Sequence, residues 1–318
     1  MATDINPQEI FLLERYTSLE YFGELRDTWE EMIRHLERCL NEFMRNLPLD
    51  YRNRPLPEQP DAVWGERVLP NFRSTFQSLC DGYIRLSHGD VGGLGAASGP
   101  MNDFKGQMDF WPGWMTKEDE NIYRKFLNLA VRNAGNIQHT AGAHWNAGSL
   151  TVHYHPVRGP LNPPANWPMY RLVPSVKVAT GAHTPQSGIY LPDVDNSCAE
   201  FLSANYDKAP KASVLIRIED IIDPATNEKY DERPVHEKRP CIWTLVERIS
   251  DTSSKSGMPS LLKPTAHRVP AGQPCPETGY YFTPAQQDSR RKFVQGDIMP
   301  ELHALYGATI WQWDQTQG

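Results

Sequence analysis

The stretch VATGAHTPQSGIYLP (178–192) returns 91 residues later as VPAGQPCPETGYYFT (269–283). Val178, Gly181, Pro185, Gly188 and Tyr190 meet Val269, Gly272, Pro276, Gly279 and Tyr281 at one constant offset, with apolar Leu191 and Phe282 next in line. In each copy a β-prone run ends at a glycine and a proline-containing loop follows. A second glycine then leads into the strand that carries the tyrosine. The pattern predicts a duplicated strand-turn-strand unit over 176–192 and 267–283, and hence a sheet with internal pseudo-symmetry.

Outward from the repeat, the β-prone runs YRLVPSVKVA, CIWTLVERI and ATIWQW are separated by Gly, Pro and Asp turns. Upstream, the six prolines between His155 and Pro174 cannot continue a helix and mark a change of architecture. Before them the period is helical. Phe22, Leu25, Trp29, Met32, Ile33, Leu36, Leu40, Phe43 and Leu47 recur at three- and four-residue steps until Pro48. Asn6 with Glu9, Thr17 with Glu20, and Thr116 with Asp119 have the spacing of capping boxes. Val68, Phe72, Phe76, Leu79, Tyr83 and Leu86 line a further helix, and Phe104, Met108 and Trp111 a shorter one. The expected fold is therefore α+β: an N-terminal helical bundle over 1–150 packed on a C-terminal β-rich region over 151–318 that contains the repeat.

At 318 residues the chain is about twice the usual domain length and can bury a large core. No run approaches the 18 apolar residues of a membrane span, and the first 20 residues do not have the pattern of a secretory leader. The expectation is a cytoplasmic protein without membrane contact. Cys39, Cys80, Cys198, Cys241 and Cys275 are odd in number and widely spaced, which fits reduced thiols better than a disulfide framework. The net charge of −7 is lopsided: residues 1–150 hold 21 Asp/Glu and 15 Lys/Arg, against 18 and 17 in 151–318. Such a surface disfavours nucleic acid as a direct ligand and suits a basic protein partner.

His139, His144, His153 and His155 are the densest group of possible metal ligands. They lack a carboxylate or thiolate at ligand spacing and lie beside prolines, so no metal and no cofactor is expected. GGLGAASG (92–99) follows a helix rather than a strand, unlike a dinucleotide-binding loop, and reads as a linker. Asp193 and Asp195 after the first tyrosine strand are matched by Pro284 and Gln286 in the second copy, so a solvated turn is the simpler reading. Glu20, Glu24, Asp27 and Glu31 fall within about 60° of one another on the long helix, opposite its apolar stripe. The like-charge repulsion is on the order of 1 kcal/mol, similar to what acids gain near a helix N-terminus. The stripe is thus energetically ordinary, and a partner surface is one reading of it.

The segments GYYFTPAQQDSRRKFVQGDIMPELHALYGATIWQWD (279–314), SGIYLPDVDNSCAEFL (187–202) and IWTLVERI (242–249) resemble the bacterial immunity proteins classed as immunity protein 71 and 72 of polymorphic-toxin systems. The resemblance covers residue 170 to the end. It implies a non-enzymatic protein encoded beside a secreted effector, often one delivered by type VI secretion, that binds the effector's toxic domain. On this reading the partner is the cognate toxin from a neighbouring gene, a cytoplasm-acting nuclease being favoured, and self-association into a homodimer stays open. The candidate contacts are Glu20, Glu24, Asp27 and Glu31, then Asp193, Asp195 and Glu200. The alternative is a metal-dependent hydrolase built on the histidine group that removes a toxic product.

Overall fold

The computed structural model describes residues 4–205, 208–249, 268–283, 289–302 and 309–314. The fold is α+β: among the described residues five α-helices precede ten β-strands. Two compact units divide the chain, Met1–Lys255 and Ser256–Gly318. No helix among the described residues is long and apolar enough to cross a membrane.

In the first unit the helices are α1 (Pro7–Tyr16), α2 (Leu19–Arg45), α3 (Leu69–Ser87), α4 (Ser98–Gln107) and α5 (Lys117–Ala141). Local capping chemistry sets their starts. Asn6 Oδ1 accepts the Gln8 and Glu9 amides, and Thr116 Oγ1 accepts the Asp119 amide at 3.1 Å. At α2 the cap is Ser18, one residue beyond the expected Thr17, and its Oγ accepts the Tyr21 amide. Thr17 instead closes α1, with its hydroxyl on the Leu13 carbonyl. A π-helical segment, Asp61–Val68, leads into α3.

The apolar stripes of α2, α3 and α5 meet in one core with Trp29, Trp64 and Trp145 buried in it. Trp29 Nε1 donates to the Phe72 carbonyl at 2.9 Å, so the indole brings no unpaired polar atom inside. That core continues without a break into Ile189, Leu191, Phe201 and Val246 of the first sheet. The change of period near residue 155 therefore marks a change of architecture within one unit.

The expected linker at 92–99 is corrected by the structure. Val91–Ala97 forms 3-10 turns that run directly into α4. A Cβ on Gly93 would stand 2.3 Å from the Gly82 carbonyl oxygen, and one on Gly82 would stand 2.8 Å from that of Gly93. The glycines are there because two backbones touch, and helical turns can be glycine-rich when packing demands it.

The first sheet is antiparallel with order β1-β6-β2-β3, from β1 (Tyr170–Ala179), β2 (Gly188–Pro192), β3 (Glu200–Leu202) and β6 (Ile242–Arg248). The register of β1 on β6 shifts between Val173 and Lys177, around Pro174, which has no amide hydrogen to give to the ladder. A separate hairpin joins β4 (Ala212–Ile222) to β5 (Lys229–Arg239). The second unit holds a sheet of order β7-β10-β8-β9, from β7 (Arg268–Pro270), β8 (Gly279–Phe282), β9 (Arg291–Phe293) and β10 (Ile310–Trp313).

The two sheets repeat each other bond for bond. Gly181 (φ +85°) and Gly272 (φ +81°) take the left-handed conformation that glycine adopts freely, and each amide donates at 2.8 Å, to Ala209 and Met299 respectively. Tyr190 Oη donates to the Gln186 carbonyl at 2.8 Å, and Tyr281 Oη to that of Glu277 at 2.9 Å. Trp243 Nε1 donates to the Pro210 carbonyl and Trp311 Nε1 to that of Pro300, both at 2.8 Å. Gly188 faces Leu202 in the ladder as Gly279 faces Phe293. The duplication thus extends to a whole four-stranded unit, and the β4-β5 hairpin is an addition to the first copy.

Gly82 and Gly135 give a test of the close backbone approach. Alanine inside a helix is worth about 1 kcal/mol over glycine, and a Cβ at Gly135 would meet nothing within 4 Å. Gly135→Ala is expected to raise stability by about 0.5–1 kcal/mol. At Gly82 the new methyl meets backbone at 2.8 Å and Phe22 at 3.0 Å. Overpacking costs about 1–3 kcal/mol and outweighs the helix gain, so Gly82→Ala is expected to be destabilising in urea unfolding.

Candidate functional site

The long helix α2 presents the first group. Its buried face carries Tyr21, Phe22, Leu25, Trp29, Met32, Ile33 and Leu36, which leaves Glu20, Glu24, Asp27 and Glu31 exposed on the opposite side. No basic residue occupies a position of this stripe, but two arginines elsewhere on α2 reach it. Arg26 lies 4.1 Å over the Tyr83 ring and pairs with Asp27 at 2.6 Å. Arg34 reaches back to Glu30 at 2.6 Å and Glu31 at 3.3 Å. Both arginines have their own place beside the helix and fold across it because their stems are long. Among the described residues, Glu20 and Glu24 have no cation within ion-pair distance.

The second group is split by the fold. Asp193 is exposed and closes the end of β2: its Oδ1 accepts the Ile242 amide at 2.8 Å, and its own amide donates to the Ile242 carbonyl. Asp195 is exposed in the turn that follows. Glu200 is removed from the candidate contacts. It lies on β3, whose three residues are all buried, and is only 4% exposed, so no partner surface can include it.

Glu200 belongs instead to a buried acidic pair. Its Oε1 accepts the Trp145 amide at 2.8 Å, while Oε2 has no hydrogen-bond partner. Glu9, 6% exposed on α1, accepts the Ala199 amide at 2.6 Å, and so it does not serve as the outward capping-box residue its spacing suggested. Each carboxylate therefore holds a backbone amide of another element: Glu9 ties α1 to the entry of β3, and Glu200 ties β3 to the segment after α5. Desolvation pushes Glu9 up to about 7 against the lowering effect of the Ala199 amide. Desolvation drives Glu200 well above the ordinary carboxylate range, although the Trp145 amide and the Lys238 charge pull the other way. Cys198 beside them is raised as well, by burial and then by the two acids. Burial thus favours the protonated form of each, and Glu9 passes between its two forms near neutral pH. A glutamate three residues after an asparagine cap carries no sequence mark of such a role.

The four histidines do not assemble. His153 and His155 are exposed in turns rather than paired along a strand, and His155 Nδ1 accepts the Val157 amide. His139, in the last turn of α5, and His144 do approach, with ring centroids 6.5 Å apart. The group with ligand atoms closest together, within 4.8 Å among the described residues, is His35, Cys39 and Asp119. Arg38 can only donate, so its contact with His35 Nδ1 at 3.0 Å leaves the ring hydrogen on Nε2, which donates to the Asp119 carbonyl at 2.9 Å. Arg38 also pairs with Asp119 at 3.1 Å, and Thr116 donates to the other carboxylate oxygen at 2.6 Å. Burial pushes the Cys39 thiol up to about 12, far from the thiolate a metal needs. With every donor engaged and a guanidinium alongside, the arrangement works as a clasp between α2 and α5. His35 and Cys39 are one helical turn apart and visible in sequence, but Asp119 joins them only in three dimensions.

No family model matches the chain, and neither does any curated protein or solved structure.

The buried acids make stability depend on pH with a definite sign. A carboxyl whose folded value exceeds its ordinary 4.5 binds extra protons in the folded state. Its stabilising contribution is complete below about 4.5 and is lost as pH rises through about 7. For Glu9 alone the loss is about 3 kcal/mol, and Glu200 adds in the same direction. The melting temperature is therefore expected to fall from about pH 5 to about pH 8. Glu9→Gln, which keeps an oxygen for the Ala199 amide, should flatten that slope and melt above the wild type at the alkaline end. Equal slopes in the two proteins would show that Glu9 does not titrate in this range.

Proposed function

We propose that this protein is a binding protein of the immunity type, which neutralises a cognate secreted toxin by covering a basic surface that the toxin needs. The observation that carries the reading is the outer face of α2, where Glu20, Glu24, Asp27 and Glu31 are exposed on a helix whose inner face is fully committed to the core. A rigid helix of that kind can present charge to a partner without reorganising, which keeps the cost of binding low. The acidic balance of residues 1–150 extends the same field. The resemblance of residues 170–318 to toxin-immunity proteins supplies the class of partner: an effector domain from a neighbouring gene, delivered by type VI secretion in competition between bacteria.

The reading places the encounter in the cytoplasm and favours a toxin that acts on nucleic acid, because a cleft that binds a polyanion is lined with Lys and Arg. Long-range attraction then raises the association rate, while apolar contacts set the lifetime of the complex. Asp193 and Asp195, exposed at the end of β2, form a second acidic site that the toxin could reach.

The test is a variant with Glu20, Glu24, Asp27 and Glu31 all changed to Gln, mixed with the toxin domain from the neighbouring gene. Association is expected to slow on the order of tenfold at low salt and to lose most of its salt dependence. The melting temperature should change little, since Asp27 and Glu31 make only exposed ion pairs. Unchanged association kinetics would exclude the α2 face, and absence of any complex with the wild-type protein would exclude the immunity reading itself.

A further inference from the structure

A cavity of about 690 Å³ opens in the first unit where the end of α5, the turn after it, α4 and β3 come together. That is the size of a pocket for a small organic molecule. Its lining divides by chemistry. Lys105, Lys208, His139 and His144 bring the polar wall, and Phe201 with Met101 belongs to the apolar one. Among the described residues no Asp or Glu lines it. In a chain of net charge −7, a cavity with two lysines, two imidazoles and no carboxylate runs against the local composition.

The cations here are also uncommitted. Among the described residues neither Lys105 nor Lys208 makes an ion pair, and both are exposed. His139 Nδ1 lies 3.0 Å from the Gly135 carbonyl, so it carries the ring hydrogen and leaves Nε2 without a protein partner. His144 has no side-chain hydrogen bond in the described structure, and burial followed by the charges of His139 and Lys238 lowers its proton affinity. Ala143, at φ +51°, holds a left-handed turn that sets His144 beside His139. Arg34 and Lys229, by contrast, pair with Glu30 and Asp220.

We propose that this cavity binds a small phosphate monoester, its dianionic head taken by Lys105, Lys208, His139 and His144 and its organic body lying on Met101 and Phe201. Charge selects phosphate: a monoester carries close to two negative charges near neutral pH, which two lysines match, whereas a monocarboxylate leaves one lysine uncompensated. The opposing groups are few. The carbonyls at the end of α5 bring partial negative charge, but the Gln138 carbonyl is already bonded by the Gly142 amide. Glu200 lies buried nearby, against the Trp145 amide, where desolvation favours its neutral form. Lys238, whose charge His144 feels, adds to the attraction. None of this depends on the toxin-binding role.

The experiment is isothermal titration of the full chain with adenosine 5′-monophosphate, adenosine, inorganic phosphate and benzoate as probes. At about pH 7.5, where the monoester is close to a dianion, adenosine 5′-monophosphate is expected to bind at least about tenfold more tightly than each of the other three. The double variant Lys105→Gln, Lys208→Gln should lose about tenfold or more in affinity with an unchanged melting temperature. His139→Ala with His144→Ala, which removes both ring donors, should weaken binding as well. No heat with adenosine 5′-monophosphate at about 10 mM would overturn the proposal. Adenosine or benzoate binding as well as the monophosphate would overturn it too, as would full affinity in a folded double-lysine variant.

Discussion

β2 is buried on both faces, and the first unit is organised around that constraint. Ile189 and Leu191 enter the core shared with the helices, while Tyr190 between them enters a second core with Val178, Trp243 and Leu245. A strand with a side-chain period of two can serve two cores only if both neighbours hold its register, which β6 does on one side and β3 on the other. A slip by one residue would put Tyr190 among the helices and expose Ile189 to the wrong layer. Gly188 lets the chain enter this strand close to Leu245, which would stand 2.8 Å from an added Cβ.

The same constraint explains the acids inside. Once β2 fixes β3 beside it, all three residues of β3 are buried, Glu200 included. A carboxylate in that position is tolerable only with a proton and a donor, and the Trp145 amide provides the donor. Glu9 meets the same condition from α1 through the Ala199 amide. The cost of burying two acids is offset by backbone amides that would otherwise lack partners at the seam between helices and sheet. Arg248, Glu14 and Tyr170 repeat the arrangement in a more open setting, where charge can be kept because the cation is present: Tyr170 Oη donates to Glu14 at 2.9 Å, and Arg248 pairs with the same carboxylate.

Surface and interior divide the polar residues by a simple rule. On α2, acids fall where the helix turns outward, and arginines fold over some of them. Around the cavity at the end of α5, Lys105 and Lys208 make no ion pair among the described residues, and none of the described lining residues is an acid. The first arrangement is ordinary for an exposed helix. The second is the less expected, since the surrounding chain is acidic.

Periodicity and repetition were enough to determine the α+β class, the helical stripes, the caps at Asn6 and Thr116, and the duplicated strands, because each depends on residues close together in sequence. The constant offset between Tyr190 and Tyr281 is matched in the structure by equivalent hydrogen bonds, each hydroxyl reaching a carbonyl four residues back. Three things came only with the tertiary structure. Gly82 and Gly93 mark a backbone contact rather than a linker, because the reason for a glycine can lie on another element. Glu9 and Glu200 look like surface acids in sequence and are interior ones, because burial is a property of what packs above a residue and not of the residue. Lys105, Lys208, His139 and His144 share a cavity although they are drawn from three separate stretches of chain, and no spacing in one dimension records a distance that folding alone creates.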